Sequence, residues 1–188
     1  MEYDKYKKSG GLHWDWYSKG EKHNYYKLVN ESLIPFEKLK GSIIDFGCGD
    51  GLVDYILTKK DFNVTGVDSS IEGMNVAREE FLKRGGNLFE YHLEDIDSYK
   101  MNKKYDYLYS LNTIEHLKNP EVMVKYMKNI RKFGVVITDD DDVVASDNSK
   151  SHIIQFNRES FKELFKDFKL EEIELSNKCF FGYKIYAN

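Results

Sequence analysis

The sequence predicts an α/β fold with seven strands in a mostly parallel sheet, helices on both faces and an antiparallel C-terminal edge hairpin. Three observations predict it. Short apolar runs alternate with helix-periodic stretches through most of the chain, the pattern of a parallel sheet. The first apolar run ends in closely spaced glycines that lead into a helix. The last two runs pair around Ser176-Asn177-Lys178.

The elements follow in order. Residues 1–20 are rich in large aromatics, interrupted by Gly10, Gly11 and Gly20, and read as irregular. From Lys22 to Ile34 the positions Tyr25, Leu28, Val29, Leu33 and Ile34 share one helical face, and Pro35 ends that helix. Ser42–Phe46 is a strand, and Leu52, Val53, Ile56 and Leu57 mark the helix after it. Phe62–Val67 is the second strand. Ser69 or Ser70 caps a helix running to about Lys83, with Gly85-Gly86 beyond it. Leu88–His92 and Tyr105–Ser110 are the third and fourth strands. Asn119-Pro120-Glu121 reads as a helix start with a capping Asn and Pro at the first helical position. Phe133–Thr138 is the fifth strand. Asn157 caps a helix whose apolar face is Phe161, Leu164, Phe165 and Phe168. Lys169–Leu175 and Cys179–Tyr186 form the hairpin.

Composition narrows the function classes. The chain has 188 residues, enough for one domain with a sizeable core. Its net charge is −4, which gives no reason to expect a nucleic-acid partner. Cys48 and Cys179 cannot make a disulfide framework. No apolar run approaches the length of about 20 residues that spans a bilayer, and Met1-Glu2-Tyr3-Asp4-Lys5 lacks the order of a signal peptide. A cytoplasmic location without membrane attachment is the expectation.

The sharpest feature is Ile43-Ile44-Asp45-Phe46-Gly47-Cys48-Gly49-Asp50-Gly51. Glycines at such a turn let the backbone approach a ligand, and the following helix N-terminus favours an anionic group. The plain alternative is a tight strand–helix turn, which three glycines at alternate positions disfavour. A dinucleotide fingerprint is Gly-x-Gly-x-x-Gly. Here the third glycine comes one place early, at Gly51, so a dinucleotide ranks second.

Asp45 to Gly51 resembles the first motif of class I S-adenosylmethionine-dependent methyltransferases, a family with a Rossmann-like sheet. The resemblance covers about residues 40–185. It implies S-adenosylmethionine as cofactor, held around Asp45, Gly47, Cys48, Gly49 and Gly51. Asp68, closing Val64-Thr65-Gly66-Val67-Asp68, looks like the family's ribose-binding acid, with Ser69 beside it. A carboxylate at a strand end can accept hydrogen bonds from two neighbouring hydroxyls. Glu94-Asp95-Ile96 resembles the adenine segment: Asp95 would accept from the exocyclic amine and Ile96 would pack on the ring. Tyr105 to Leu117 resembles the fourth strand and its loop, placing Ser110 and Leu111 near the methionine end.

Methyl transfer from a sulfonium needs the acceptor aligned, water excluded and sometimes a proton removed. Glu115, His116 and His152 are the candidates for that work; for His116 the alternative is a structural histidine. Glu115-His116 also resembles an arrangement in small-RNA and ubiquinone-pathway methyltransferases, joined in the RNA branch by a later His as His152 is here, that can hold a divalent metal. Asn112 stands where that pattern has a further Glu, which removes a hard ligand, and no metal is expected. Asp139-Asp140-Asp141-Asp142 follows the fifth strand; most of the run reads as solvated, with Asp139 a candidate for the site. Residues 1–35 read as an aromatic lid segment and helix on a core of residues 36–188. Trp14, Trp16, Tyr17 and Tyr25 are the candidate walls of an acceptor pocket, against the alternative of a strap packed on the sheet. The expected function is methylation of oxygen or nitrogen on a small-molecule acceptor, a sugar or other metabolite. The rivals are an RNA 3′-end 2′-O-methyltransferase and a non-catalytic cofactor-binding partner subunit.

Overall fold

The computed structural model describes residues 5–86, 89–143 and 152–188, so Tyr3 and Leu88 lie outside the described residues. The chain opens with two short helices, α1 (Lys5–Ser9) and α2 (Leu12–Ser18), then a 3-10 turn at Gly20–Lys22 and α3 (Asn24–Ser32). Strands and helices then alternate: β1 (Gly41–Phe46), α4 (Leu52–Lys59), β2 (Phe62–Asp68), α5 (Ile71–Lys83) and β3 (Glu90–Leu93). After β4 (Tyr105–Leu111) come α6 (Glu121–Met127), β5 (Ile130–Asp139), α7 (Arg158–Leu164), β6 (Leu170–Glu172) and β7 (Phe180–Tyr186).

The seven strands form one sheet in the order β3-β2-β1-β4-β5-β7-β6. β1 pairs in parallel with both β2 and β4, so the chain winds outward from β1 and then restarts beside it. Such a reversal opens a crevice at the carboxyl ends of the two central strands. Alternation along the strands divides the core. Ile43, Val64, Tyr107, Val135 and Ile137 face α3, α4 and α5, where Leu28, Leu57 and Phe81 are buried. Ile44, Val67, Leu108 and Val136 face α6 and α7, against Met123, Tyr126, Phe161 and Phe165. Trp14, Leu33 and Phe36 join the first layer, so the N-terminal segment packs into the core. Among the described residues no helix is long and apolar enough to cross a membrane.

Five local readings are corrected. Residues expected to be irregular form α1 and α2; helices of 5 and 7 residues are too short to show a periodicity, and Gly10 at φ +55° makes the break between them. The helix expected over Lys22–Ile34 is confined to Asn24–Ser32: the His23 ring nitrogen accepts from the Tyr25 amide at 3.2 Å, and Pro35 sits within a separate 3-10 turn. β3 is Glu90–Leu93, not Leu88–His92. Asn119 does not cap α6 with its side chain; Pro120 holds the cap position and Asn119 supplies its carbonyl to the Val122 amide. The hairpin strands lie at the predicted edge, but β7 inserts between β5 and β6, so the antiparallel strand is second from the edge. Elsewhere the caps are those the sequence indicates: the Ser70 hydroxyl accepts from the Gly73 amide, and Asn157 with Ser160 forms a capping box.

One buried carboxyl runs against the rest of the core. Asp54 on α4 is fully buried, with no hydrogen-bond partner for either carboxylate oxygen among the described residues. Burial, with Asp45 nearby, raises its carboxyl well above the usual range. The native state therefore holds this proton more tightly than the unfolded chain, and its stabilising contribution is lost as pH rises above about 4 towards the native value. Asp54→Asn is expected to add about 1 kcal/mol at pH 8, or roughly 2–4 °C in Tm at this chain length. A thermal-melt series should show wild-type Tm falling as pH rises from 5 to 8, and the substitution should flatten that fall.

Candidate functional site

The crevice beside β1 is floored by the glycine loop. Gly47 has φ +80° and its amide donates to the Val67 carbonyl at 2.8 Å. A Cβ there would collide with the Thr113 side chain, and one on Gly49 (φ +52°) would collide with the Tyr6 hydroxyl. Only a residue without a side chain fits either position. Gly51 is the N-cap residue of α4, packed against Ala77 of α5.

Asp68 ends β2 and holds two segments at once. One carboxylate oxygen accepts from the Gly49 amide at 2.8 Å and the other from the Ser70 amide at 2.8 Å. It ties the glycine loop to the start of α5 while lining the cleft. Asp45 lies at the base of the cleft, 2% exposed, its carboxyl raised well above the usual range by burial and by Asp68. Asp95 accepts from the Asp97 amide at 3.0 Å and turns the chain so that Ile96 also faces the cleft. Burial pushes the Cys48 thiol up, so it acts as a packing group rather than a nucleophile.

The N-terminal arm covers this floor. Asp50 anchors it: its carboxylate accepts from the His13 amide at 3.1 Å and meets the His13 ring at 3.1 Å, while its carbonyl accepts from the Trp14 indole at 2.8 Å. The His13 ring stacks on Tyr25 at 4.8 Å, and Trp16 stacks on His23 at 5.5 Å. Arg84 lies 4.2 Å over the Trp14 ring from outside.

The far end is built around Glu115, which is 1% exposed. Its carboxylate accepts from the Thr138 hydroxyl at 2.9 Å, and its backbone carbonyl accepts from the Ile153 and Ile154 amides at 2.9 and 3.1 Å. That backbone pair carries His152 to His116, with ring centroids 5.1 Å apart. Donor atoms of Glu115, His116 and His152 fall within 4.8 Å of one another, a group able to hold a metal ion. His152 Nε2 stands 3.2 Å from Asp139, whose carboxyl burial raises and His152 lowers. Asp140 is turned away into an ion pair with Arg158.

The cleft joining these parts encloses about 770 Å³. It is lined by Asp45, Gly47, Cys48, Asp68, Ser69, Asp95, Ile96 and Leu111 at one end, and by Glu115, His116, Asp139 and His152 at the other. Trp16 and Tyr25 also line it. Five residues expected there lie elsewhere. Ser110 is buried and donates to the Phe46 carbonyl, joining β4 to β1. Trp14 packs against Tyr55, and Tyr17 donates to Asn30 outside the cleft. Gly49 and Gly51 shape the loop from beneath Tyr6 and against α5. Sequence reasoning missed His13, His23, Asn24, Tyr109, Asn177 and Phe180, which line the cleft: Asp50 holds His13, and the Ser176 amide donates to Glu31 at 2.9 Å, joining the segment before β7 to α3.

A family model described as a methyltransferase domain matches residues 17–175. The chain belongs to this family. Among curated relatives, the ubiquinone biosynthesis O-methyltransferase of Rickettsia canadensis is 32% identical over 99 residues, 52% of this chain and 42% of that protein. The (S)-coclaurine N-methyltransferase of Thalictrum flavum subsp. glaucum is 36% identical over 89 residues, 46% of this chain and 25% of that protein. The matches thus cover less than half the length of either relative. The magnesium protoporphyrin IX methyltransferase of Synechocystis PCC 6803, crystallised with bound SAH, shares the fold at a TM-score of 0.74 and 15% identity, covering 97% of this chain and 96% of that one.

The residues of this methyltransferase domain fit the family's cofactor, S-adenosylmethionine. Asp68 and Asp95 line the cleft and offer acceptors for hydroxyl and amine hydrogens. Asp50→Ala is expected to free the arm. Tryptophan emission should shift to longer wavelength, and S-adenosylhomocysteine affinity should fall by about tenfold in calorimetry, the loss of one or two charge-assisted hydrogen bonds.

Proposed function

We propose that this methyltransferase domain moves the methyl group of S-adenosylmethionine to oxygen or nitrogen of a small-molecule acceptor. One observation carries the reading: a single cleft runs from the acids at the tips of β2 and β3 to Glu115, His116 and His152 beyond β4. The nucleoside end takes Asp68 and Asp95 as hydrogen-bond acceptors, with Ile96 against the base. The bound cofactor supplies an activated methyl on a sulfonium. The chain's own residues orient the acceptor against it, exclude water with the arm, and accept a proton where the acceptor must lose one. His116 faces the cleft and is the candidate for that last role, with Glu115 and His152 holding its surroundings. The relatives named above act on oxygen and on nitrogen, in agreement with either atom as target.

A second reading, transfer assisted by a divalent metal, is favoured by the convergence of Glu115, His116 and His152. An RNA acceptor is disfavoured: Lys118 is the one lysine or arginine among the described residues lining the cleft, and phosphates need several.

Isothermal titration should show micromolar binding of both S-adenosylmethionine and S-adenosylhomocysteine. Asp95→Ala should weaken both by about tenfold while leaving Tm near wild type, since Asp95 is exposed. Asp68→Ala should lower affinity and Tm together, because it also releases Gly49 and Ser70. His116→Ala should lower kcat by about 100-fold, the lower range of general-base catalysis, with cofactor Kd unchanged. An unaltered kcat removes the proton-acceptor role. Activity abolished by EDTA and restored by Mg²⁺ selects the metal-assisted reading.

A further inference from the structure

Among the described residues the acceptor end of the cleft is rich in hydrogen-bond acceptors and poor in cations. Asp139 and Glu115 line it, and Asp141 stands behind His152, with Asp141 Oδ1 3.9 Å from His152 Nδ1. The Arg158 guanidinium, which would offset them, is committed to Asp140 and Glu172 on the far side of the strand. Lys118 belongs to the nucleoside end, where its amide donates to Asp97 at 3.0 Å.

A second observation is independent of this charge. Asn112 lines the cleft at the tip of β4, held at φ +49°, a left-handed conformation that asparagine tolerates better than most residues. Its side-chain oxygen is buried and has no hydrogen-bond partner among the described residues. A buried amide acceptor left unsatisfied costs about 1–3 kcal/mol, so its place in a ligand cleft points to a donor on the ligand. The walls add ring faces: Trp16, His23, Tyr25 and Phe180 line the same cleft.

Resting on the methyltransferase reading above, we propose that the acceptor is an amine on an aromatic or similarly apolar scaffold, and that transfer goes to its nitrogen. An ammonium supplies both what the carboxylates attract and the hydrogens that Asn112 can accept. Aromatic faces suit its ring and tolerate its charge. An alcohol offers one hydrogen and no charge; a carboxylate or phosphate is repelled. A divalent metal would also satisfy the acids; His152 Nε2 lies 3.2 Å from Asp139 and its Nδ1 3.9 Å from Asp141, and sensitivity to EDTA separates the metal from the ammonium.

The ammonium gives one proton to the His116 imidazole, and the freed nitrogen lone pair forms the N–C bond as the S–C bond breaks. The sulfur keeps that electron pair and becomes a neutral thioether, while the product leaves as an N-methylammonium.

The test is labelled-methyl transfer from S-adenosylmethionine by the full chain. Phenethylamine and N-methylphenethylamine are compared with phenethyl alcohol, phenol and phenylacetate, after calorimetry has established cofactor binding. Label is expected on the amines, at least about tenfold above the others in kcat/KM and indifferent to EDTA. Asp139→Asn is expected to raise the amine KM by about tenfold or more, the loss of one charge-assisted hydrogen bond, with cofactor Kd unchanged. Preferred labelling of a hydroxyl compound overturns the proposal and leaves the methyltransferase reading intact, as does amine transfer that needs Mg²⁺ or an unchanged KM in Asp139→Asn. Failure to bind the cofactor at all removes the methyltransferase reading itself.

Discussion

Asp68 is the constraint on which the cleft depends. A carboxylate at the tip of β2 reaches across to the amide of Gly49 and back to that of Ser70, so the loop after β1 and the start of α5 are set by one side chain. With the loop so fixed, Gly47 rests under Thr113 and Gly49 under Tyr6, and Asp50 is turned outward to meet His13. The floor, the β4 wall and the covering arm thus share a single origin. Two charge-assisted bonds to backbone amides also satisfy donors that the loop and helix start would otherwise leave open.

The other end has a comparable centre in Glu115. Its side chain is tied to β5 through Thr138, and its carbonyl holds the bend at Ile153 and Ile154. Residues far apart in sequence therefore converge without a regular element between them. His152 reaches His116 because a backbone carbonyl, not a side chain, positions the segment. This is a kind of tie that residue types do not announce.

The alternating architecture was legible because buried parallel strands and amphipathic helices differ in period, and the caps at Ser70 and Asn157 could be read directly. The place of β7 was not, because antiparallel insertion beside β5 and pairing with β6 alone leave the same local pattern. In the cleft, the motif acids follow the order of the strand tips, whereas Glu115, His116 and His152, which line the same cleft, were singled out by residue type and by the family resemblance. The aromatic arm was legible in composition but not in detail. Trp14 and Trp16 are two residues apart, yet a helix turns them to different sides: one onto Tyr55 and Arg84, the other into the cleft. His13 and His23 carried no signal, since each acquires its role only when the arm meets Asp50 or Trp16.

The arm's two helices have 5 and 7 residues, well below the roughly 12–15 at which a helix persists alone in water. Their order is borrowed from the loop they lie on, through Tyr6 at Gly49 and His13 at Asp50. Any ligand that enters or leaves beneath them must dissolve those contacts, and the helices with them. Exchange at this site is thus tied to the local folding of residues 5–18 as much as to diffusion.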